Sequence, residues 1–494
     1  MHLGLDLGTS GVKAVLTGPD GEVLAQATAP LSLSAPRPLW SEQEPEDWWR
    51  ATQAALASLR GRHDLSGLRG LGLAGQMHGA VLLDATDRVL RPAILWNDGR
   101  SGDECTALEQ AEPDSRAITG NLAMPGFTAP KLLWVRRHER EVFARVRRVL
   151  LPKDWLRLRL TGEAISEMSD ASGTLWLDVA ARRWSGAMLD ATGLSEAAMP
   201  RLVEGTAPAS RLRADAAALL GLPVGIPVAG GGGDNAAGAV GIGCVAPGDA
   251  FVSLGTSGVV FVSDPGFLPD PARTVHAFCH CLPQSWHRMS VILSAAASLS
   301  WITRVTGAAS EAALLAEVEQ AGLAKAGRLL FLPYLSGERT PHNDPRAAGV
   351  FFGLSGADER ADLARAVLEG VAFALADGVE ALEARGPRIE ALTAIGGGAR
   401  SGAWLRILAA ATGRPILSVT DGDTGPALGA ARLARIACGD GGIAEVCSKP
   451  PVARRFAPEP ELAAALAPRR AAYRRLYPTL KTLFAETVHP GTDA

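Results

Sequence analysis

The chain has 494 residues, 47% of them hydrophobic, and its 49 Lys and Arg against 52 Asp and Glu leave a net charge of −3. That length exceeds what one hydrophobic core organises and predicts two domains. The near-balanced charge gives no reason to expect nucleic acid or an anionic membrane as a partner. With no apolar run of spanning length and no basic-then-apolar leader at Met1–Asp6, the sequence points to a cytoplasmic protein whose six cysteines stay reduced.

Leu3–Leu7 and Val12–Thr17 read as a β-hairpin around Gly8-Thr9-Ser10-Gly11, and Asp20-Gly21 as the turn into a third strand, Glu22–Ala27. Helical spacing of Trp48, Trp49, Ala55, Leu56 and Leu59 after Pro45 predicts a helix over Glu46–Leu59. A buried strand, Leu68–Ala74, ends at Gly75, with short strands at Val81–Leu83 and Ala93–Trp96 and helices around Ser101–Ala111 and Lys131–His138. Gly225–Ala229 is a strand running into four glycines and then a helix.

Between Gly243 and Gly248 the plan begins again. A hairpin, Phe251–Val262, is followed by helices at Ser294–Val305 and Glu311–Ala321 and a loop rich in Gly, Pro and charge at Pro333–Arg346. A long helix at Ala361–Leu382, a strand at Ala391–Ile395, a helix from Ala403, a strand at Pro415–Val419 and a last helix near Pro426 complete the pattern. The predicted domains are residues 1–245 and 246–485, with a frayed tail over 486–494. Cys279-His280-Cys281 has too short a spacing for a zinc knuckle, and strand alternation accounts for it.

The two hairpins share one hexapeptide. Leu7-Gly8-Thr9-Ser10-Gly11-Val12 recurs as Leu254-Gly255-Thr256-Ser257-Gly258-Val259. Gly-flanked turns of this kind point backbone N–H groups at one place and bind anions, so the repeat predicts two related domains gripping one polyphosphate from opposite sides. The Walker A pattern is missing from both turns. Asp6 precedes the first turn where Ser253 precedes the second. A carboxylate beside phosphates needs a cation between them, which makes Asp6 a Mg²⁺ ligand; a turn-tightening Asp is the alternative. Lys13 points either to phosphate or to solvent.

Further polar runs follow predicted strands. Asp234 comes after Gly230-Gly231-Gly232-Gly233 and is either a helix N-cap or a base for a substrate hydroxyl. Gln76 and His78 could bond sugar hydroxyls, and Met77 could pack against sugar carbons. Trp96-Asn97-Asp98-Gly99-Arg100 offers a second wall of the same pocket, and Gly396-Gly397-Gly398 suits a nucleotide lying against backbone.

With these residues in view, the chain resembles the FGGY carbohydrate kinases from Leu3 to about Ala437. The resemblance rests on Gly75-Gln76-Met77-His78-Gly79, Trp96-Asn97-Asp98-Gly99-Arg100, Leu150–Leu156, Ser169–Thr174 and Leu332–Pro341. It implies an α/β fold of two actin-like (ribonuclease H-like) domains with ATP in the cleft between them, and ATP and Mg²⁺ as cosubstrate and metal. It implies Asp234 as catalytic base, Asp6 as the metal-associated carboxylate, and Met77, His78 and adjoining Asn235 as ketose contacts. Thr9, Ser10, Thr256, Ser257, Gly397 and Ser401 would form the nucleotide site, with Lys13 on phosphate. The Gly-Gln-Met-His-Gly run favours D-xylulose, phosphorylated to D-xylulose 5-phosphate. Another pentulose, a pentitol or glycerol is the nearest rival, and an actin- or chaperone-like nucleotide switch a remoter one. Oligomeric state, a homodimer included, stays open.

Overall fold

The fold is described from a computed structural model over residues 1–325, 327–420 and 425–487. The opening hairpin seeds the first sheet. β1 (His2–Leu7) and β2 (Gly11–Thr17) pair antiparallel, Asp6 opposite Lys13, and β3 (Val23–Pro30) continues the meander. On its other side β1 runs parallel to β4 (Gly70–Gly75), which runs parallel to β5 (Pro227–Ala229). Strand alternation sorts β1 into two faces. Leu3, Leu5 and Leu7 join wholly buried Trp48, Leu56 and Leu59 of helix α1 (Pro45–Arg60), each side chain contributing about 1.5–3 kcal/mol of burial. Gly4 and Asp6 occupy the opposite face.

The second half repeats the plan. β6 (Ala250–Leu254), β7 (Gly258–Asp264) and β8 (Trp286–Ile292) form an antiparallel meander. β6 also runs parallel to β9 (Leu392–Ile395), and β9 to β10 (Ile416–Val419). The repeated hexapeptide is therefore the local sign of a repeated sheet, two actin-like domains in one chain.

Two helices cross between the sheets. The Gly run leads into α2 (Asp234–Gly241), and α3 (Gly425–Ala437) follows β10 in sequence yet packs against β1 and β4 of the first sheet. The approach is close. A Cβ on Gly4 would lie 1.9 Å from the Ala427 carbonyl oxygen, and one on Gly429 only 1.7 Å from that of Ala237. No helix among the described residues is long and apolar enough to cross a membrane.

The C-terminal region departs from the sequence reading. A helix of 28 residues, Pro460–Thr487, follows the one expected to be last. Pro468 and Pro478 lie inside it and read locally as breakers, but its buried Leu462, Leu466, Tyr473 and Phe484 join the second core. Most of the expected tail, residues 488–494, and the Gly422-Asp423-Thr424 turn lie outside the described residues.

Candidate active site

Register brings the site together. Leu7 of β1 stands opposite Gly75 of β4, and Gly75 opposite Gly233. The next residues, Gly8, Gln76 and Asp234, leave three parallel strands at one carboxyl edge, where open α/β sheets collect ligands. In the second sheet Ser253 stands opposite Ile395, so the turn 255–257 and Gly396-Gly397 leave at the equivalent edge. A Cβ on Gly396 would lie 3.2 Å from the Gly255 nitrogen.

Both hairpin turns tie their carbonyls back and leave N–H groups open. The Gln43 amide donates to the Thr9 carbonyl (2.7 Å) and the Leu31 N–H to that of Ser10 (2.9 Å). The N–H groups of Ala295 and Ala296 donate to the carbonyls of Thr256 and Gly255 (2.9 and 2.8 Å). The N–H groups of Thr9, Ser10, Thr256 and Ser257 find no acceptor among the described residues. Two such nests fit phosphate oxygens. Gly397 is exposed beside the second turn, and the Ser401 hydroxyl caps the next helix by accepting from the Trp404 N–H (3.2 Å).

Asp6 carries a buried Oδ1 with no hydrogen-bond partner. Burial, then the nearby charge of Asp234, pushes its pKa up to about 7, and Lys13 opposes the rise. An orphan carboxylate oxygen beside a phosphate nest suits a divalent cation. Asp234 occupies the first turn of α2, but the N-cap position belongs to Gly233. Its Oδ1 accepts from the backbone N–H and side-chain amide of Asn235 (2.7 and 2.9 Å). Both capping-type bonds thus fall on one oxygen and come from one neighbour. Burial pushes the Asp234 carboxyl up to about 6.

Met77 packs against the strand end that carries Asp234, and His78 against Gly173. A Cβ on Gly233 would lie 3.0 Å from Met77 Sδ, and one on Gly173 2.6 Å from His78 Nδ1. His78 has a φ of 69°, a left-handed conformation that costs a non-glycine residue energy and recurs at functional sites. Its Nδ1 lies 2.7 Å from the Gly173 carbonyl, and its ring meets Phe127 edge-on. Burial lowers its pKa to about 3, so the ring is neutral. A carbonyl only accepts; Nδ1 therefore carries the proton and Nε2 keeps a lone pair.

Gln76, expected among the sugar contacts, is 2% exposed, and its amide joins Thr9 and Gln43. Within the Trp96–Arg100 run Asn97 is exposed and Asp98 is buried. Asp98 accepts from the Ser41 N–H (2.6 Å) and pairs with Arg100, whose guanidinium lies 3.5 Å from the Trp40 ring centre.

Sequence reasoning missed two features. Lys153, Asp154, Glu167 and Asp170 form a wholly buried cluster behind the Gly run. Glu167 holds the strand end, accepting from the Gly233 N–H at 3.1 Å. The second is Arg339, which reaches from the second half toward Gly126 and lowers the pKa of His78 by its charge. Two segments met in sequence only as resemblance thus become neighbours, and spacing along the chain carries no signal of that.

Family models for the FGGY family of carbohydrate kinases match residues 1–241 (N-terminal domain) and 250–438 (C-terminal domain). The chain belongs to this family. It is 55% identical to a xylulose kinase of Escherichia coli (strain K12), over 98% of this chain and all of the relative. Among solved structures, a xyloylose kinase from Brucella ovis superposes with a TM-score of 0.92 at 52% identity, covering 98% of this chain and 99% of the other. The xylulose kinase of Rhodospirillum rubrum gives 0.88 at 31% identity over the same shares. Membership makes the chain a sugar kinase with ATP as phosphoryl donor and a divalent metal.

Proposed function

We propose that the chain transfers the γ-phosphoryl group of ATP to the terminal hydroxyl of D-xylulose, with Asp234 as the general base. The observation that carries this reading is the packing of Met77 against the strand end from which Asp234 projects, with His78 the next residue along. Identity to xylulose kinases supports the choice of ketose.

His78 Nε2 accepts a hydrogen bond from one sugar hydroxyl, and Met77 packs against carbon. The Asp234 carboxylate takes the proton of the terminal hydroxyl as its oxygen bonds to the γ-phosphorus and the bond to the β-phosphate oxygen breaks, releasing ADP. A base with pKa near 6 is ionised at neutral pH yet basic enough to accept a proton in flight. The Thr9-Ser10 and Thr256-Ser257 nests hold phosphate oxygens from the two halves. Asp6 would hold Mg²⁺, which would neutralise phosphate charge. Gly397 and Ser401 border the nucleotide. Closure of the halves brings the nests together and excludes water.

A coupled assay of ADP release over ketoses, pentitols and glycerol tests the proposal. D-Xylulose should give the highest kcat/KM. A higher value for another polyol reassigns the sugar, and no stimulation by any of them points to a nucleotide switch.

A further inference from the structure

The first phosphate turn is held by a hydrogen-bond circuit whose direction is set at both ends by tryptophan. The Trp96 indole N–H donates to Thr9 Oγ1 (2.9 Å), and Thr9 Oγ1 donates to Gln76 Oε1 (2.9 Å). Gln76 Nε2 donates to Gln43 Oε1 (3.2 Å), which also accepts from the Trp48 indole N–H (2.9 Å). Gln43 Nε2 closes the loop by donating to the Thr9 carbonyl (2.7 Å) and to that of Ser32 (3.1 Å).

An indole nitrogen only donates. Trp96 therefore requires Thr9 Oγ1 to accept there, which directs the hydroxyl proton to Gln76. Trp48 requires Gln43 to present its oxygen, which in turn requires Gln76 to present its NH₂. Neither amide can flip without setting donor against donor or acceptor against acceptor in a buried place, where an unmade bond is costly. The Thr9 carbonyl shares a trans peptide plane with the Ser10 N–H, so holding that carbonyl on Gln43 turns the Ser10 N–H the opposite way.

We infer that Gln76, together with Gln43, is a positioning residue for the phosphate turn, fixing the Thr9–Ser10 peptide so that the Ser10 N–H meets a phosphate oxygen. This rests on the phosphoryl-transfer reading of the site. The circuit joins the turn itself, Ser32, Gln43 just before α1, Trp48 within α1, the end of β4 and Trp96. Met77 and His78 directly follow Gln76, so the same strand end that carries the sugar contacts also orients the phosphate turn.

The test compares Gln76→Met, Gln76→Glu, Thr9→Val and Trp96→Phe with the wild type on the sugar it turns over best. Each is assayed for kcat, both KM values and ADP affinity by calorimetry without sugar. Gln76→Met and Thr9→Val should lower kcat/KM for ATP about 10–100-fold, as small misplacements at a reacting centre do, with sugar KM held within about twofold. Gln76→Glu should be worse than Gln76→Met despite its closer shape, because its second oxygen faces Gln43 Oε1. Trp96→Phe removes a single donor and reads the circuit in a fold that keeps both amides. A rise in sugar KM with unchanged ATP kinetics would make Gln76 a sugar ligand and overturn the inference. Unchanged kinetics and ADP affinity in all four variants would overturn it as well. ADP affinity is read without sugar, so a wrong sugar assignment leaves this result standing.

Discussion

Asp6 and Asp234 stand on either side of a single strand: Asp6 of β1 stands opposite Ala74, and Ala74 opposite Gly232, two residues before Asp234. The charge of Asp234 adds to burial in raising the Asp6 pKa to about 7, while Asp234 itself stands near 6. Two carboxylates with raised pKa values at one strand edge suit a divalent cation and a proton acceptor side by side.

The pH dependence follows. Protonated Asp234 accepts no proton, so kcat/KM should fall on the acid side with a midpoint near 6. A pH–rate profile at saturating Mg²⁺ checks this. A rate that holds level well below that midpoint would remove Asp234 from proton transfer.

The same shifts make a statement about stability. Both folded pKa values exceed the ordinary 3.8, so between that value and about 7 the folded state binds more protons than the unfolded one. Stability without ligands therefore falls as pH rises through this window. Asp234→Asn should raise the thermal midpoint, with a gain of about 1 kcal/mol or more at ~pH 8 and less at ~pH 5.5. Thermal melts at the two pH values read it; an equal or reversed gain contradicts it.

How much of this was legible in the sequence varied by residue. The twin turns were legible because a phosphate nest is local, requiring Gly, Thr, Ser and Gly in sequence. Asp6 and Asp234 stand out in the sequence because one lies just before the first turn and the other directly after the glycine run. The partners of Gln76 were not legible, because Thr9 and Gln43 lie far from it along the chain. α3 could not be placed on the first sheet from its own apolar pattern, because contact there depends on missing side chains at Gly4 and Gly72.

Met77 and His78 should act on the sugar. Removing the His78 acceptor by His78→Ala should raise the sugar KM about 5–100-fold, the cost of a hydroxyl left without its bond, with ATP KM little changed. Met77→Ala should act in the same direction. Steady-state kinetics with each substrate varied in turn decide it; unchanged sugar kinetics would take both out of the pocket.

Lys153 should matter to folding. Burial opposes its charge, but Asp154, Asp170 and Glu167 hold it protonated, and Asp154 Oδ1 lies only 2.6 Å away. Lys153→Met leaves buried carboxylates without their cation and should cost about 3–5 kcal/mol in urea unfolding. An unchanged midpoint would show that the cluster settles its charge by protonation alone, a route already open to Asp170, whose pKa burial raises strongly.

The central claim is that Asp234 takes the proton from the sugar hydroxyl. Its most direct test is Asp234→Ala, assayed for phosphorylation of D-xylulose at saturating ATP and for ADP binding by calorimetry. The account predicts a fall in kcat of about 10²–10⁴-fold with ADP affinity preserved. A parallel loss of ADP binding, or a kcat close to the wild type, would contradict it.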